Sequence, residues 1–285
     1  MIDLRNKRIG LVLSGGGAKG AYQVGMFRAL HDLGIDGQIK AMSGCSIGAY
    51  AETIWAVRGV DAYRDFMYGF QDLFREGESL SNAEIEQAKA EVAAGKVSLE
   101  QFCLERRFWQ YEGLGLHRYI EQLVAGGAVE MSGYSLNVCG YSLEKERPVY
   151  FRLNDLTDAE KAEAIIASGS LQFLLQPAAL HGHHLVDGGV VPDICVNPAP
   201  ADKIPLLPMI SEDVDFILIN FLISQDRVNT RLIPGGIEYM ELRPSSPLEA
   251  YPGAGTLDFS PEKLESHERL GYADTVNSFR QNCIF

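Results

Sequence analysis

An α/β three-layer sandwich around a central, mainly parallel sheet is the fold class this sequence predicts, and three observations carry it. Arg8 to Leu13 is a near-continuous apolar run of strand length, as expected for a parallel strand covered on both faces, and Val214 to Ile223 reads as a further core strand. A helical pattern from about Ala21 to Leu33 and a short strand from Ile39 to Ser43 follow the first run and make a βαβ unit. The pentapeptide Gly44-Cys45-Ser46-Ile47-Gly48 then joins that strand to another helical stretch, Ala49 to Val57.

The remaining elements follow in order. Val24, Phe27, Ala29, Leu30 and Leu33 share one side of the first helix, and Gly34 is its expected C′ cap. From Asp61 to Gln110 the pattern is helical but polar and shows no strand, which suggests an inserted helical cap over about 61–112 within one domain spanning 1–285. Phe102, Phe108, Trp109 and Tyr111 close that region; the rings either pack the cap onto the domain or line an acyl-chain entrance. Leu116 to Val124 is a further helix ended by Gly126-Gly127. Ser135–Ser142 and Val149–Leu153 read as a hairpin, and Thr157-Asp158-Ala159-Glu160 as a capping box opening a helix to Ala167. Leu185–Val191 is a strand interrupted by Asp-Gly-Gly, and 192–208 an irregular surface segment. Glu238–Leu242 is expected as an edge strand and Pro261–Asn277 as the closing helix.

Composition narrows the function. The 285 residues are 46% hydrophobic and 22% charged, ordinary for a soluble globular protein. The formal charge of −13 argues against nucleic-acid partners, whose phosphates need clustered Lys and Arg, and against strong docking on anionic lipid. Five cysteines without close pairs suit free thiols in a reducing compartment, so a cytoplasmic location is expected. Met1–Lys7 does not resemble a signal peptide, and no apolar run is long enough to span a bilayer.

Three glycine-rich sites end three apolar strands, and in a parallel sheet such ends converge on one edge. Ser46, at a sharp strand-to-helix turn, is the candidate nucleophile, with the following helix aiming its N-terminal N–H groups toward it. Gly15, Gly16 and Gly17 are the candidate oxyanion hole, because glycines just before a helix present backbone N–H groups in a concave array. Asp187 is the candidate base. The bare G-x-S-x-G can arise by chance in a glycine-rich chain; its strand and helix context favours function.

Other readings compete. Gly15, Gly17 and Gly20 also spell the dinucleotide fingerprint, but the strand at 39–43 carries no acid for a ribose, and Lys19-Gly20 does not fit a P-loop. A dinucleotide- or lipid-binding module without hydrolase activity is the alternative outside enzymes. A Ser-Asp-His triad would need His267, which lies in a charged, apparently solvated stretch; His181, His183 and His184 precede Asp187 and read as an exposed loop. No ligand set stands at metal spacing.

In their order and spacing, Gly15-Gly16-Gly17-Ala18-Lys19-Gly20, Gly44-Cys45-Ser46-Ile47-Gly48 and Asp187-Gly188-Gly189 resemble the patatin-like phospholipases of bacterial type. Ala167-Ser168 to Pro177, and Leu257-Asp258-Phe259 with the helix after it, are also similar to the family. The resemblance implies a patatin-like fold, a Ser46–Asp187 dyad without histidine, a glycine-loop oxyanion hole, no metal or cofactor, and hydrolysis of lipid acyl esters. The expected partner is then a lipid or acyl-ester substrate, with transient contact at a membrane surface. The chain departs from the family pattern at Cys45 (commonly threonine), Gln172 (commonly proline), Asp193 and Cys195. A carboxylate with a pKa of about 4 is a weak base for an alcohol. Asp187 must therefore be desolvated, and oxyanion stabilisation must supply much of the rest.

Overall fold

The computed structural model describes residues 1–250 and 255–284. The chain opens with β1 (Ile2–Asp3), β2 (Ile9–Leu13), α1 (Ala21–Asp32), β3 (Ile39–Cys45) and α2 (Ile47–Arg75). Four helices follow, α3 (Asn82–Ala93), α4 (Leu99–Leu104), α5 (Leu114–Val124) and α6 (Ala128–Ser132), and then the hairpin β4 (Ser135–Ser142) and β5 (Arg147–Arg152). After α7 (Asp158–Ser168) come a second hairpin, β6 (Ala178–Leu180) and β7 (His183–Asp187), then α8 (Leu206–Met209), β8 (Phe216–Asn220) and β9 (Glu238–Leu242). The described chain closes with α9 (Pro261–Asn282) and β10 (Cys283–Ile284), which pairs with β1 in a small parallel ribbon.

The main sheet runs β6-β7-β4-β3-β2-β8-β9, with β5 also on β4. From β4 through β9 every pairing is parallel, whereas the β5, β6 and β7 pairings are antiparallel. All residues of β2 and β8 are buried, as their largely apolar sequences require, and Asn220 at the end of β8 is buried with them. Alternation along the strands divides them between two faces: Leu11, Leu13 and Leu218 join one core, and Val12, Ile217 and Ile219 another. The first face is covered by α1, α2, α5, α7 and α9, whose apolar residues share its core. The second is covered more thinly, by α8 and the irregular chain around Ile204 and Val214. The three-layer α/β reading is thus borne out, with unequal outer layers. Each fully buried Leu, Ile or Phe contributes about 1.5–3 kcal/mol relative to exposure.

The polar helical stretch serves two cores. α2 is broken at Gly59 (φ 82°), and beyond the break Tyr63, Phe66, Met67, Phe70 and Phe74 still pack into the main core. A separate cluster begins with α3: Ile85, Ala88 and Val92 close on Phe102, Phe108 and Trp109, and this cap rests on Tyr141, Leu143, Phe173 and Val186. Ser81 and Ser98 each form a capping box and start α3 and α4 in an otherwise polar sequence. No helix among the described residues is long and apolar enough to cross a membrane.

Glu52, in the first arm of α2, is wholly buried, and neither carboxylate oxygen has a hydrogen-bond partner among the described residues. Burial pushes its pKa well above 4.5, so the folded protein holds a proton there that the unfolded chain releases as pH rises past that value. Stability from this group therefore falls as pH rises above 4.5. Glu52→Met is expected to stabilise the fold by about 1–3 kcal/mol, and by more at pH 8 than at pH 5, because it removes an unsatisfied buried polar group. Chemical denaturation of both proteins at the two pH values measures this; equal or lower stability of the variant at pH 8 would contradict it.

Candidate active site

The strand-to-helix elbow forms because two glycines allow two close approaches. A Cβ on Gly44 would lie 2.4 Å from the Gly48 backbone, and one on Gly48 would lie 2.3 Å from the Leu13 carbonyl oxygen. Ser46 sits between β3 and α2 with φ 54° and ψ −124°, a backbone that L-residues rarely adopt and that costs about 1–3 kcal/mol. The strain lifts its side chain out of the sheet at the helix N-terminus, where the dipole favours negative charge.

The glycine loop comes down on Ser46 from β2. A Cβ on Gly15 would stand 3.1 Å from Ser46 Cβ, so a larger residue there would crowd the hydroxyl. The Gly15 N–H donates to the Lys203 carbonyl at 3.0 Å. Among the described residues, the N–H groups of Gly16 and Gly17 have no acceptor, and both glycines are partly exposed. Of the three expected oxyanion donors, two are therefore free. The loop is held from behind by Lys19, buried and bonded to Glu249 Oε2 at 2.8 Å and to Thr256 Oγ1 at 3.0 Å, and by the Ala18 N–H, which donates to the Thr256 carbonyl.

Asp187 reaches this edge by a route different from the expected one. It does not end a strand parallel to β2 and β3: β7 is antiparallel to β4 and runs the opposite way. β3 pairs with β4 as far as Cys45 opposite Cys139, and the next residue of β4, Gly140, faces Asp187. β5 occupies the other edge of β4 throughout 137–142. β3 and β7 therefore share one edge of β4 and meet head to head, which places Asp187 beside Cys45 and the elbow.

The Asp187 carboxylate is buried. Its Oδ1 accepts from the Gly189 N–H at 2.8 Å and from the Cys45 thiol in a long contact of 3.9 Å, while Oδ2 has no hydrogen-bond partner among the described residues. Burial raises its pKa to about 6; the nearby Ser46 hydroxyl, the Gly189 N–H, the Lys203 charge and the Cys45 thiol oppose that rise. No hydrogen bond of ordinary geometry joins the Ser46 hydroxyl to the carboxylate, a looseness common in ligand-free sites. A cavity of about 650 Å³ opens beside Gly189, lined also by Tyr150, Asp202, Lys203, Asp226 and Arg227.

The histidines lie elsewhere. His267 is buried, contrary to the solvated position expected of it, because Leu264, His267, Gly271 and Thr275 form the inner face of α9. Burial lowers its pKa. No histidine among the described residues hydrogen-bonds to Ser46 or Asp187; His183 and His184 meet Glu144, and His181 meets Glu160. Nor do the described residues include a group of three or more His, Cys, Asp or Glu side chains placed to hold a metal. Phe102, Phe108 and Trp109 fill the cap core, and Tyr111 stacks obliquely on Phe74 at 5.1 Å. Packing thus accounts for these four rings.

Sequence reasoning missed Ser168. Its hydroxyl, fully buried at the end of α7, accepts from the Ser46 N–H at 2.9 Å and donates to the Cys139 carbonyl at 2.6 Å. A polar residue ending the buried face of a helix was the available signal. Two departures from the family pattern prove to be coupled: the Gln172 amide donates to Asp193 Oδ2 at 2.9 Å and accepts from the Asp193 N–H at 2.8 Å.

A family model described as patatin-like phospholipase matches residues 11–200. Lysophospholipase NTE1 of Cryptococcus neoformans is 47% identical over 53 residues, which are 19% of this chain and 3% of that protein. Lysophospholipase nte1 of Aspergillus terreus is 27% identical over 197 residues, 68% of this chain and 11% of that protein. The chain thus spans a small fraction of the length of these curated relatives. The crystal structure of VipD from Legionella pneumophila superposes with a TM-score of 0.46 at 15% identity, over 96% of this chain and 67% of that one. The matched residues carry the glycine loop, the Ser46 elbow and the Asp-Gly-Gly turn, and the chain belongs to the patatin-like phospholipase family.

Proposed function

We propose that this protein hydrolyses acyl esters of lipids, in the manner of a phospholipase A or lysophospholipase, through Ser46 and Asp187. The observation that carries the reading is a desolvated carboxylate, brought to a strained serine under a glycine loop, with one carboxylate oxygen and two loop N–H groups unpartnered among the described residues. Ser46 Oγ attacks the ester carbonyl carbon as its proton passes to Asp187. The Gly16 and Gly17 N–H groups take the oxyanion, and Gly15 holds the loop close. Collapse of the tetrahedral intermediate breaks the ester C–O bond, and the Asp187 proton goes to the departing alcohol. Water then attacks the acyl-serine, giving its proton to Asp187, and the fatty acid leaves as Ser46 recovers its proton. Buried Cys45, Cys103, Cys139 and Cys283, all free, support a reducing, cytoplasmic setting, with transient contact at the lipid surface.

Intact-mass analysis after treatment with an alkyl fluorophosphonate tests the reading. One adduct is expected, on the peptide carrying Ser46. No adduct, or one on another residue, would rule Ser46 out as an activated nucleophile.

A further inference from the structure

An elbow as strained as that of Ser46 persists only where its surroundings hold it. The pairing of β3 with β4 ends just before it, and α2 holds only its carbonyl, which accepts from the Ala49 and Tyr50 N–H groups at 2.9 and 3.3 Å. What holds the Ser46 N–H is a side chain: the Ser168 hydroxyl accepts it at 2.9 Å and, by donating to the Cys139 carbonyl at 2.6 Å, is itself locked to β4. Two residues on, the Ser170 carbonyl accepts the N–H of Asp187 at 3.0 Å. Three residues after that, Phe173, at φ 64°, is buried against Phe102 of the cap. The same short run therefore touches the backbones of both reacting residues and is pinned at its far end by the cap. Because Ser168 occupies the Ser46 N–H, that group is not an oxyanion donor.

We propose that Ser168 is a positioning residue: its hydroxyl fixes the Ser46 elbow, and with the Ser170 carbonyl on Asp187 it sets the two reacting groups against each other. The inference rests on Ser46 and Asp187 being the reacting pair. Without the hydroxyl, the Ser46 N–H and the Cys139 carbonyl lose their partner, and the elbow can relax and carry the nucleophile away from the carbonyl carbon. A displacement of about 1 Å at such a site costs up to about 100-fold in rate.

Kinetics with p-nitrophenyl butyrate, a soluble ester that needs no lipid surface, test it in three variants. Ser168→Ala is expected to lower kcat roughly 10- to 100-fold with little change in KM, and to slow fluorophosphonate labelling of Ser46 in parallel. Ser168→Cys, whose sulfur is a weaker acceptor, should recover part of the loss. It also carries the test if the alanine variant fails to fold. The control is Thr275→Val, which removes an equally buried hydroxyl bonded to the Gly271 carbonyl inside α9. It should lower the melting temperature but not kcat. The acid limb of the pH profile should not move to lower pH in Ser168→Ala, because displacing the Ser46 hydroxyl removes a contact that opposes the rise of the Asp187 pKa.

Ser168→Ala with kcat close to wild type, a loss confined to KM, or an equal loss of kcat in Thr275→Val would each overturn the proposal. So would a shift of the acid limb to lower pH. A wild type that resists labelling at Ser46 would sink the dyad reading itself; a labelled wild type beside an equally labelled Ser168→Ala would sink only the positioning role.

Discussion

Ser46→Ala is expected to lower ester turnover by about 10⁴-fold or more while the fold remains intact. Loss of the nucleophile leaves only what oxyanion donors and binding give to direct attack by water, and that residue of catalysis is small. The variant also separates chemistry from strain. At φ 54° and ψ −124° alanine is as unfavourable as serine, so Ser46→Ala should melt close to the wild type. Glycine tolerates that backbone, and Ser46→Gly should be equally inactive but more stable by about 1 kcal/mol. Turnover of a lysophospholipid and of p-nitrophenyl butyrate, together with thermal melts, reads both quantities. Substantial turnover in either variant would remove Ser46 from the mechanism.

Asp187→Asn should also abolish turnover, and it should make the protein more stable. The wild-type carboxyl titrates near 6 in the folded state against 3.8 as its ordinary value. The folded protein therefore binds the proton more tightly than the unfolded chain does. Stability from this group is complete below 3.8, declines as pH rises between the two values, and is lost above about 6. A shift of about two units corresponds to about 3 kcal/mol, an upper bound for what the asparagine variant regains at pH 8. At pH 3 the two proteins should differ little through this group. The same titration shapes activity: the base works only when ionised, so wild-type kcat/KM should fall about tenfold per pH unit below an apparent pKa of about 6. An acid limb near 4 would mean that Asp187 is solvated in solution. An active Asp187→Asn would mean that another group takes the serine proton.

The opposite signs of these effects have one cause. Burying a carboxylate whose Oδ2 has no partner among the described residues is unfavourable for folding, and in the proposed mechanism the same desolvation supplies the basicity with which Asp187 takes the serine proton. In the proposed mechanism the same low-dielectric site strengthens the pull of the Gly16 and Gly17 N–H groups on a developing oxyanion.

Much of this was legible in the amino-acid order because it is local. The parallel strands were readable from apolar runs at 9–13 and 216–219, the α7 start from a capping box at Thr157, and the elbow from glycines four residues apart. Each depends on period, on capping chemistry or on the absence of a Cβ, all properties of a few consecutive residues. What required the folded chain was the meeting of distant segments. The antiparallel direction of β7 follows from the other edge of β4 being taken by β5, which nothing within 183–187 encodes. His267 reads as solvated among its charged neighbours, and only the packing of α9 shows that it faces inward. Ser168 bonds a residue 122 positions away, and the Gln172–Asp193 pair unites two departures that are unrelated in the linear text. Residue chemistry thus singled out the serine and carboxylate proposed to react, whereas desolvation, strand direction and the bonds that hold those two groups together are tertiary facts, created when the sheet brings remote stretches of chain to one edge.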